Sequence, residues 1–151
     1  MAGIQFDAPF QAVNANNAAW KTLCEVTAPA NHAVKVLEIV LGGLGISGTE
    51  VPFEVALAWT DGDGTGTAIT LVHLNSIYDG VVTLQTSALG NLTAESLNPT
   101  RFGNTTMHAQ GGRDKLEIMG DLIIGGGDTL AVQVFAAATT TALSGYVRCE
   151  E

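Results

Sequence analysis

The chain has 151 residues, of which 46% are hydrophobic and only 14% are charged. This length suits a single domain with its own core, and the composition excludes a disordered tail or a coiled coil. Fifteen acidic against six basic residues give a net charge of −9. Because such a charge repels phosphate, we expect neither nucleic acid nor an anionic membrane as a partner.

Residues 1–17 show no sustained periodicity and include Pro9, which predicts an N-terminal arm outside a domain formed by residues 18–151. Three large apolar side chains stand in this arm, at Ile4, Phe6 and Phe10. A loose terminus is one interpretation. The second interpretation is that these three side chains bind a partner. The sequence favours it, because large apolar side chains left in water lower the solubility of a protein.

Beyond the arm, the chain is predicted to form short strands separated by turns. The clearest is 53–59, where every second residue is large and apolar. Residues 33–41 are mostly apolar, but their alternation breaks midway, which predicts a β-bulge or a strand covered on both faces. The other predicted strands lie at 18–27, 67–74, 81–86, 92–97, 115–119, 129–135 and 143–150.

About eight short strands at intervals of ~8–12 residues, without a helix, are typical of an all-β sandwich or barrel. Several long connections favour a jelly roll over a simple meander. The sequence therefore predicts a single-domain, jelly-roll-like β-sandwich of about eight strands, preceded by the arm.

The two cysteines are expected to be buried, reduced and close together. Strand alternation turns Cys24 and Cys149 inward, and in a jelly roll the first and last core strands commonly neighbour each other in one sheet. The same alternation puts Trp20 on the inner face with Cys24, and Trp59 on the inner face of its own strand. Both tryptophans are therefore predicted to be core residues rather than platforms for a sugar.

Motifs that could bind a ligand lack their usual context. Residues 43–48 match G-x-G-x-x-G, but a strand follows instead of the helix that a dinucleotide requires. Residues 61–66 resemble the start of a calcium loop, but Val72 stands where a bidentate Glu belongs. The three histidines are far apart, and no nucleophile elbow is present. The sequence predicts no cofactor, no metal and no enzymatic activity.

An ordered series of segments covers most of the chain: FDAPFQAV at 6–13, KTL at 21–23, VTAPANHAVKVL at 26–37, GTGTA at 64–68, MHAQG at 107–111, and residues 123–134. This series resembles the small head decoration, or cement, proteins of tailed bacteriophages, which are encoded beside the major capsid protein. The resemblance implies a jelly-roll subunit, usually trimeric, that binds the outside of the capsid at three-fold and quasi-three-fold positions. An arm or loops would clamp neighbouring capsomers.

The expected partners are therefore the major capsid protein and further copies of the chain. Residues 80–94 and 129–147 carry no charge, which is typical of either buried strands or a subunit interface. The start lacks a signal peptide, so synthesis is expected in the host cytoplasm and final residence on the capsid exterior. A phage tail or fibre module, or a carbohydrate-binding jelly roll, is the alternative.

Overall fold

The computed structural model describes residues 3–14, 19–43, 52–108, 113–118, 120–136 and 142–151. Within these ranges the chain forms twelve strands: β1 (Gln5–Asn14), β2 (Trp20–Thr27), β3 (Val34–Gly43), β4 (Pro52–Thr60), β5 (Thr65–Ala68), β6 (Val72–His73), β7 (Ser87–Ala94), β8 (Thr100–His108), β9 (Arg113–Leu116), β10 (Leu122–Ile124), β11 (Thr129–Ala136) and β12 (Ala142–Glu150). In the same ranges, no helix is long and apolar enough to cross a membrane.

The strands form two antiparallel sheets, an arrangement consistent with a β-sandwich. Sheet A has the order β10-β3-β12-β1-β6, and β9 pairs with β3 beside this path. Sheet B has the order β5-β7-β2-β11-β4-β8. The predicted all-β class is therefore confirmed.

One cluster of buried apolar side chains joins the two sheets. Ile39 and Val147 contribute to it from sheet A, and Val55 and Leu130 contribute from sheet B. Each such side chain removed from water stabilises the fold by roughly 1.5–3 kcal/mol. Because both sheets supply this core, neither sheet is expected to be stable alone.

A β-bulge in β3 explains the broken alternation of residues 33–41. Glu38 pairs with Arg148, whereas Val36 pairs with the next residue of β12, Cys149. The extra residue in β3 reverses the alternation, so Val36 and Ile39 are both buried although they stand three positions apart. The predicted bulge is confirmed.

A second bulge, in β2, moves Trp20 out of the core. Cys24 pairs with Val132, but Thr22 pairs with the next residue of β11, Gln133. Trp20 consequently packs beside Phe135, with 5.7 Å between ring centroids, and neither ring belongs to the core cluster. The prediction that Trp20 shares the inner face with Cys24 is therefore wrong, because the sequence did not reveal this bulge. Trp59 packs against the core as predicted.

The N-terminal segment is a strand rather than an arm. β1 pairs with β12 along most of its length and with β6 on its other side. Phe6 is 0% and Phe10 is 3% exposed, and both belong to the core cluster. The prediction that residues 1–17 lie outside the β-domain is therefore wrong for 5–14, and residues 1–2 and 15–17 lie outside the described ranges. Phe6, Ala8 and Phe10 alternate onto the inner face.

Both cysteines are free and buried, as predicted. They lie in different sheets, so the prediction of neighbouring strands in one sheet is wrong. They face the same core, where burial and then the nearby Cys149 raise the pKa of Cys24. Burial and then Asp7 raise the pKa of Cys149 to about 12. Both thiols are therefore protonated and unreactive at neutral pH.

Candidate interaction surface

Large apolar side chains are exposed mainly in one segment, residues 72–82, which we call the apolar loop. It comprises β6 and the turns that follow it. Val72, Leu74, Ile77 and Val81 are between 41% and 78% exposed. In the rest of the described chain, only Leu97 and Ile123 are large, apolar and comparably exposed. Clustered exposure of this kind marks an interaction surface, whereas single exposed residues are ordinary.

Hydrogen bonds hold the apolar loop in a defined shape. The carbonyl of Tyr78 accepts hydrogen bonds from the N–H groups of Val81 and Val82, at 3.1 and 3.0 Å. The N–H of Tyr78 donates to the carbonyl of Asn75 at 3.0 Å, and the N–H of Ile77 donates to the Asn75 side chain at 3.1 Å. Since this backbone is already ordered, binding through the exposed side chains carries a smaller entropic cost.

Two further contacts fix the loop to sheet A and to itself. The N–H of Leu74 donates to the carbonyl of Gln5 in β1 at 3.0 Å. Nε2 of His73 lies 3.1 Å from the carbonyl oxygen of Val82. The start of the loop is therefore attached to the sheet, and its end is attached to its start.

Glu151 anchors the chain just beyond the apolar loop. Its carboxylate accepts hydrogen bonds from the N–H groups of Gln85 and Thr86, each at 3.0 Å, and from the Thr86 hydroxyl at 2.6 Å. It also lies 3.1 Å from Nε2 of His32. Burial opposes ionisation, but these hydrogen bonds outweigh it and lower the pKa of Glu151. An ionised Glu151 thus joins the end of the C-terminal strand to the residues that follow the apolar loop at neutral pH.

The predicted partner-binding residues lie elsewhere. Phe6 and Phe10 are buried in the core and cannot bind a partner, so their predicted role is wrong. Ile4 is half-buried, and its backbone exchanges hydrogen bonds of 2.9 and 3.0 Å with Glu151. The apolar loop was missed, because Leu74, Ile77 and Val81 stand at irregular spacing among polar residues, and that pattern does not show whether they are buried or exposed.

The two uncharged segments have different surroundings. β11 lies between β2 and β4, and seven of its eight residues are buried. Its lack of charge therefore follows from burial within the chain, and residues 129–136 are not available for a subunit interface. In the segment 80–94, Val81 is exposed, whereas β7 lies inside sheet B. Residues 137–141 lie outside the described ranges.

The acidic motif at residues 61–66 links two loops. A carboxylate oxygen of Asp63 accepts a hydrogen bond from the N–H of Leu97 at 2.9 Å, and one of Asp61 accepts from the Asn98 side chain at 2.7 Å. Within the described ranges, no three His, Cys, Asp or Glu residues are grouped as metal ligands. Residues 44–48 of the glycine-rich motif lie outside those ranges.

Glu25, beside these loops, is a buried acid on β2. The Thr60 hydroxyl donates to its Oε1 at 3.3 Å. Desolvation raises the pKa of Glu25 despite hydrogen bonds from Ser96 and Thr60, and the nearby charges of Glu95 and Asp63 raise it further. The two hydroxyl hydrogen bonds favour the ionised form, so the raised pKa of Glu25 is due to burial first and to the neighbouring acids second.

Charged side chains on sheet A largely neutralise one another. Arg148 binds Asp7 with two hydrogen bonds of 2.8 and 3.0 Å and contacts Glu38 at 3.2 Å. Glu38 also accepts a hydrogen bond from the Tyr146 hydroxyl at 2.9 Å and lies 3.1 Å from Lys115. The hydrogen bonds from Tyr146 and then Lys115 lower the pKa of Glu38. This network links β1, β12, β3 and β9, so its role is to connect the strands of sheet A.

Comparison with protein-family models, curated proteins and solved structures finds no match to this chain.

Proposed function

We propose that the chain is a head decoration, or cement, protein of a tailed bacteriophage, which binds the major capsid protein on the outer surface as a homotrimer at three-fold positions. The observation that carries this proposal is the apolar loop. Its four exposed aliphatic side chains stand on a hydrogen-bonded backbone that is attached to sheet A. A protein that must bind another protein surface needs such a patch.

The composition around the loop supports a role in protein binding. Asp79 is the only Asp, Glu, Lys or Arg between residues 72 and 94, in a chain that carries 21 such residues. Burying this surface against a partner therefore requires little desolvation of charge. The acidic residues elsewhere in the chain maintain solubility.

The order of the strands supports the finer prediction of a jelly roll. Strands pair in nested fashion: β1 with β12, β2 with β11, β3 with β10, and β4 with β8. A long antiparallel ribbon rolled on itself produces the orders β10-β3-β12-β1 and β2-β11-β4-β8. Eight strands in two such sheets are what a jelly roll requires. β5, β6 and β7 are then an insertion between β4 and β8.

The apolar loop belongs to this insertion. Residues that are additional to a rigid framework are free to serve binding, because the framework does not need them for its core. In this proposal the loop has the binding role that was predicted for the N-terminal arm. Three loops in a trimer would engage the capsid together, and such avidity multiplies modest individual contacts.

A carbohydrate-binding module is the second candidate, and the position of Trp20 favours it. Trp20 and Phe135 form an aromatic pair outside the core, as sugar platforms do. However, the guanidinium carbon of Arg101 lies 4.6 Å from the centroid of a Trp20 ring, so one face of the indole is occupied. Arg101 is held there by its Nε, which donates to Gln133 at 2.8 Å. We therefore rank this function below capsid decoration.

Fractionation of virions tests the proposed function. Particles of the phage that encodes this chain would be separated into heads and tails, and the chain would be quantified in each by mass spectrometry. We expect it on heads, in a fixed ratio to the major capsid protein of no more than one copy per capsid subunit. Recovery with tails would favour the tail or fibre alternative, and absence from both fractions would contradict a virion role.

A further inference from the structure

A groove separates the two sheets at the edge opposite the apolar loop. It lies between β8, the last strand of sheet B, and residues 114–118 and 121–122, which include most of β9 and the start of β10 in sheet A. One of its two cavities has a volume of about 320 Å³ and an apolar lining from Leu57, Phe102, Ile118 and Leu122. The second cavity, of about 380 Å³, lies further along β8.

The strand that borders this groove has an open edge. β8 pairs with β4 on one side and with no other strand in the described part of the chain. Arg101 stands near the start of β8, and a bulge at Gly103 and Asn104, where the φ of Gly103 is +62°, interrupts its pairing with β4. Beyond the bulge the pairing is regular, Thr105 and Thr106 are exposed, and residues 105–108 contain no Pro, Lys, Arg, Asp or Glu. Natural proteins usually protect an edge strand with such residues. An edge without them can add a further strand.

The rim of the groove is acidic. Asp114, Glu117 and Asp121 are exposed there. Asp121 pairs with Lys35 at 2.6 Å, and the one basic residue among the lining residues, Lys115, is bound to Glu38 at 3.1 Å, so Asp114 and Glu117 carry the negative charge of the rim. Glu117 has no ion pair with any residue of the described ranges. The rim is therefore complementary to a basic side chain, in a groove whose floor is complementary to an apolar one.

We propose that this groove binds an extended segment of a partner protein, which adds to β8 as a strand. Alternate side chains of a strand point in opposite directions, so an apolar side chain of the segment enters the groove. A basic side chain at its end pairs with Glu117. This proposal is independent of the capsid role, because it rests on the opposite edge of the molecule from the apolar loop.

Binding in the groove can be followed by the fluorescence of Trp59. The ring of Trp59 stacks on Phe102, with 5.5 Å between centroids and an angle of 27°. The chain has two tryptophans, so Trp20→Phe leaves Trp59 as the only one. The probe is a seven-residue peptide of alternating Val and Thr with Lys at both ends. We expect a saturable change in Trp59 emission, and none with the same peptide carrying Glu at both ends.

Paired variants test the rim. Glu117→Lys should weaken binding of the lysine peptide about tenfold at low salt, and less at high salt, because the rim charge is screened. Asp79→Lys makes the same change of charge in the apolar loop and should leave binding unchanged. Equal losses in both variants would mean that only net charge matters, which would overturn the proposal.

Amide hydrogen exchange tests the strand itself. Addition of the lysine peptide should slow exchange in residues 105–108, beyond the bulge. Binding without this protection would overturn strand addition, and absence of binding at millimolar peptide would overturn the site. If Trp59 emission instead changes with protein concentration alone, and Glu117→Lys abolishes that change, the occupant is a second copy of the chain and the proposed partner is wrong.

Discussion

Phe6→Ala should destabilise the whole domain, because Phe6 belongs to the core and not to an arm. Its side chain is fully buried on β1, which lies between β12 and β6. Replacing a buried Phe by Ala costs about 3–5 kcal/mol, which includes the cavity that remains. That is a large part of the roughly 5–15 kcal/mol by which a typical domain is stable.

The expected loss is measurable in two ways. For a domain of this size, about 3–5 kcal/mol corresponds to a decrease in Tm of roughly 6–20 °C. Urea unfolding followed by circular dichroism gives the free energy directly, provided that the m-value is unchanged. Gln11→Ala, an exposed position on the same strand, is the matched control and should change the stability by less than about 0.5 kcal/mol.

A loss below about 1 kcal/mol in Phe6→Ala would refute the assignment of β1 to the core. Deletion of residues 2–12 gives a second, independent result. It removes most of a strand that pairs on both sides, so the truncated chain should fail to fold. If the truncated chain melts cooperatively near the normal Tm, residues 2–12 form an arm outside the folded domain after all, and the assignment of β1 to the core is wrong.

Three other outcomes follow from the same structure. The folded-state pKa of Glu25 is raised above its ordinary value of 4.5, so the folded form binds the proton more tightly than the unfolded form. Stability therefore falls as pH rises from the unfolded-state pKa through the folded-state pKa. Glu25→Gln should raise Tm more at pH 7 than at pH 4, and an equal change at both pH values would contradict this. Cys24 and Cys149 should resist a bulky thiol reagent in the native protein and react in denaturant, and rapid native labelling would contradict their burial. Native mass spectrometry should detect a trimer, although a trimer that forms only on the capsid would appear only in cross-linked heads; monomers in both samples would contradict the homotrimer.

The strands with strong alternation could be predicted, and those with weak alternation could not. Large apolar side chains alternate with other side chains in residues 53–59, and the observed strand β4 includes all of these residues. β8 was missed because its residues are mostly Thr, Asn and Gly, as suits an edge strand with little to bury. β1 was missed because its inward face has the small Ala8 between two Phe residues, and Pro9 suggested irregular chain.

Bulges limit what alternation can show about faces. The bulge in β3 could be predicted because the apolar run contains Lys35 and Glu38, which regular alternation would place on opposite faces of the strand. The bulge in β2 was not visible, because Trp20 and Cys24 are both compatible with a core. One added residue reverses every side chain beyond it, so a single unseen bulge transferred Trp20 to the other face.

The apolar loop could not be located from the sequence because apolar residues in irregular chain can be buried or exposed. Residues 81–86 were predicted to form a strand, yet Val81 lies in a turn and is among the most exposed side chains. Exposure here depends on the turns around Tyr78 and on the contacts of Leu74 and Glu151. Those contacts join residues more than sixty positions apart, which no local pattern reports.

The most direct test of the central claim is rebinding of the purified chain to heads that lack it. The variant Ile77→Ala with Val81→Ala removes about 4 kcal/mol of apolar contact if both side chains are fully buried on the capsid. Even partial burial predicts binding at least about tenfold weaker, with an unchanged melting curve because both side chains are exposed. Leu97→Ala, an exposed residue outside the loop, should bind normally. Equal occupancy of heads by the loop variant and the unaltered chain would contradict the proposed function of the apolar loop.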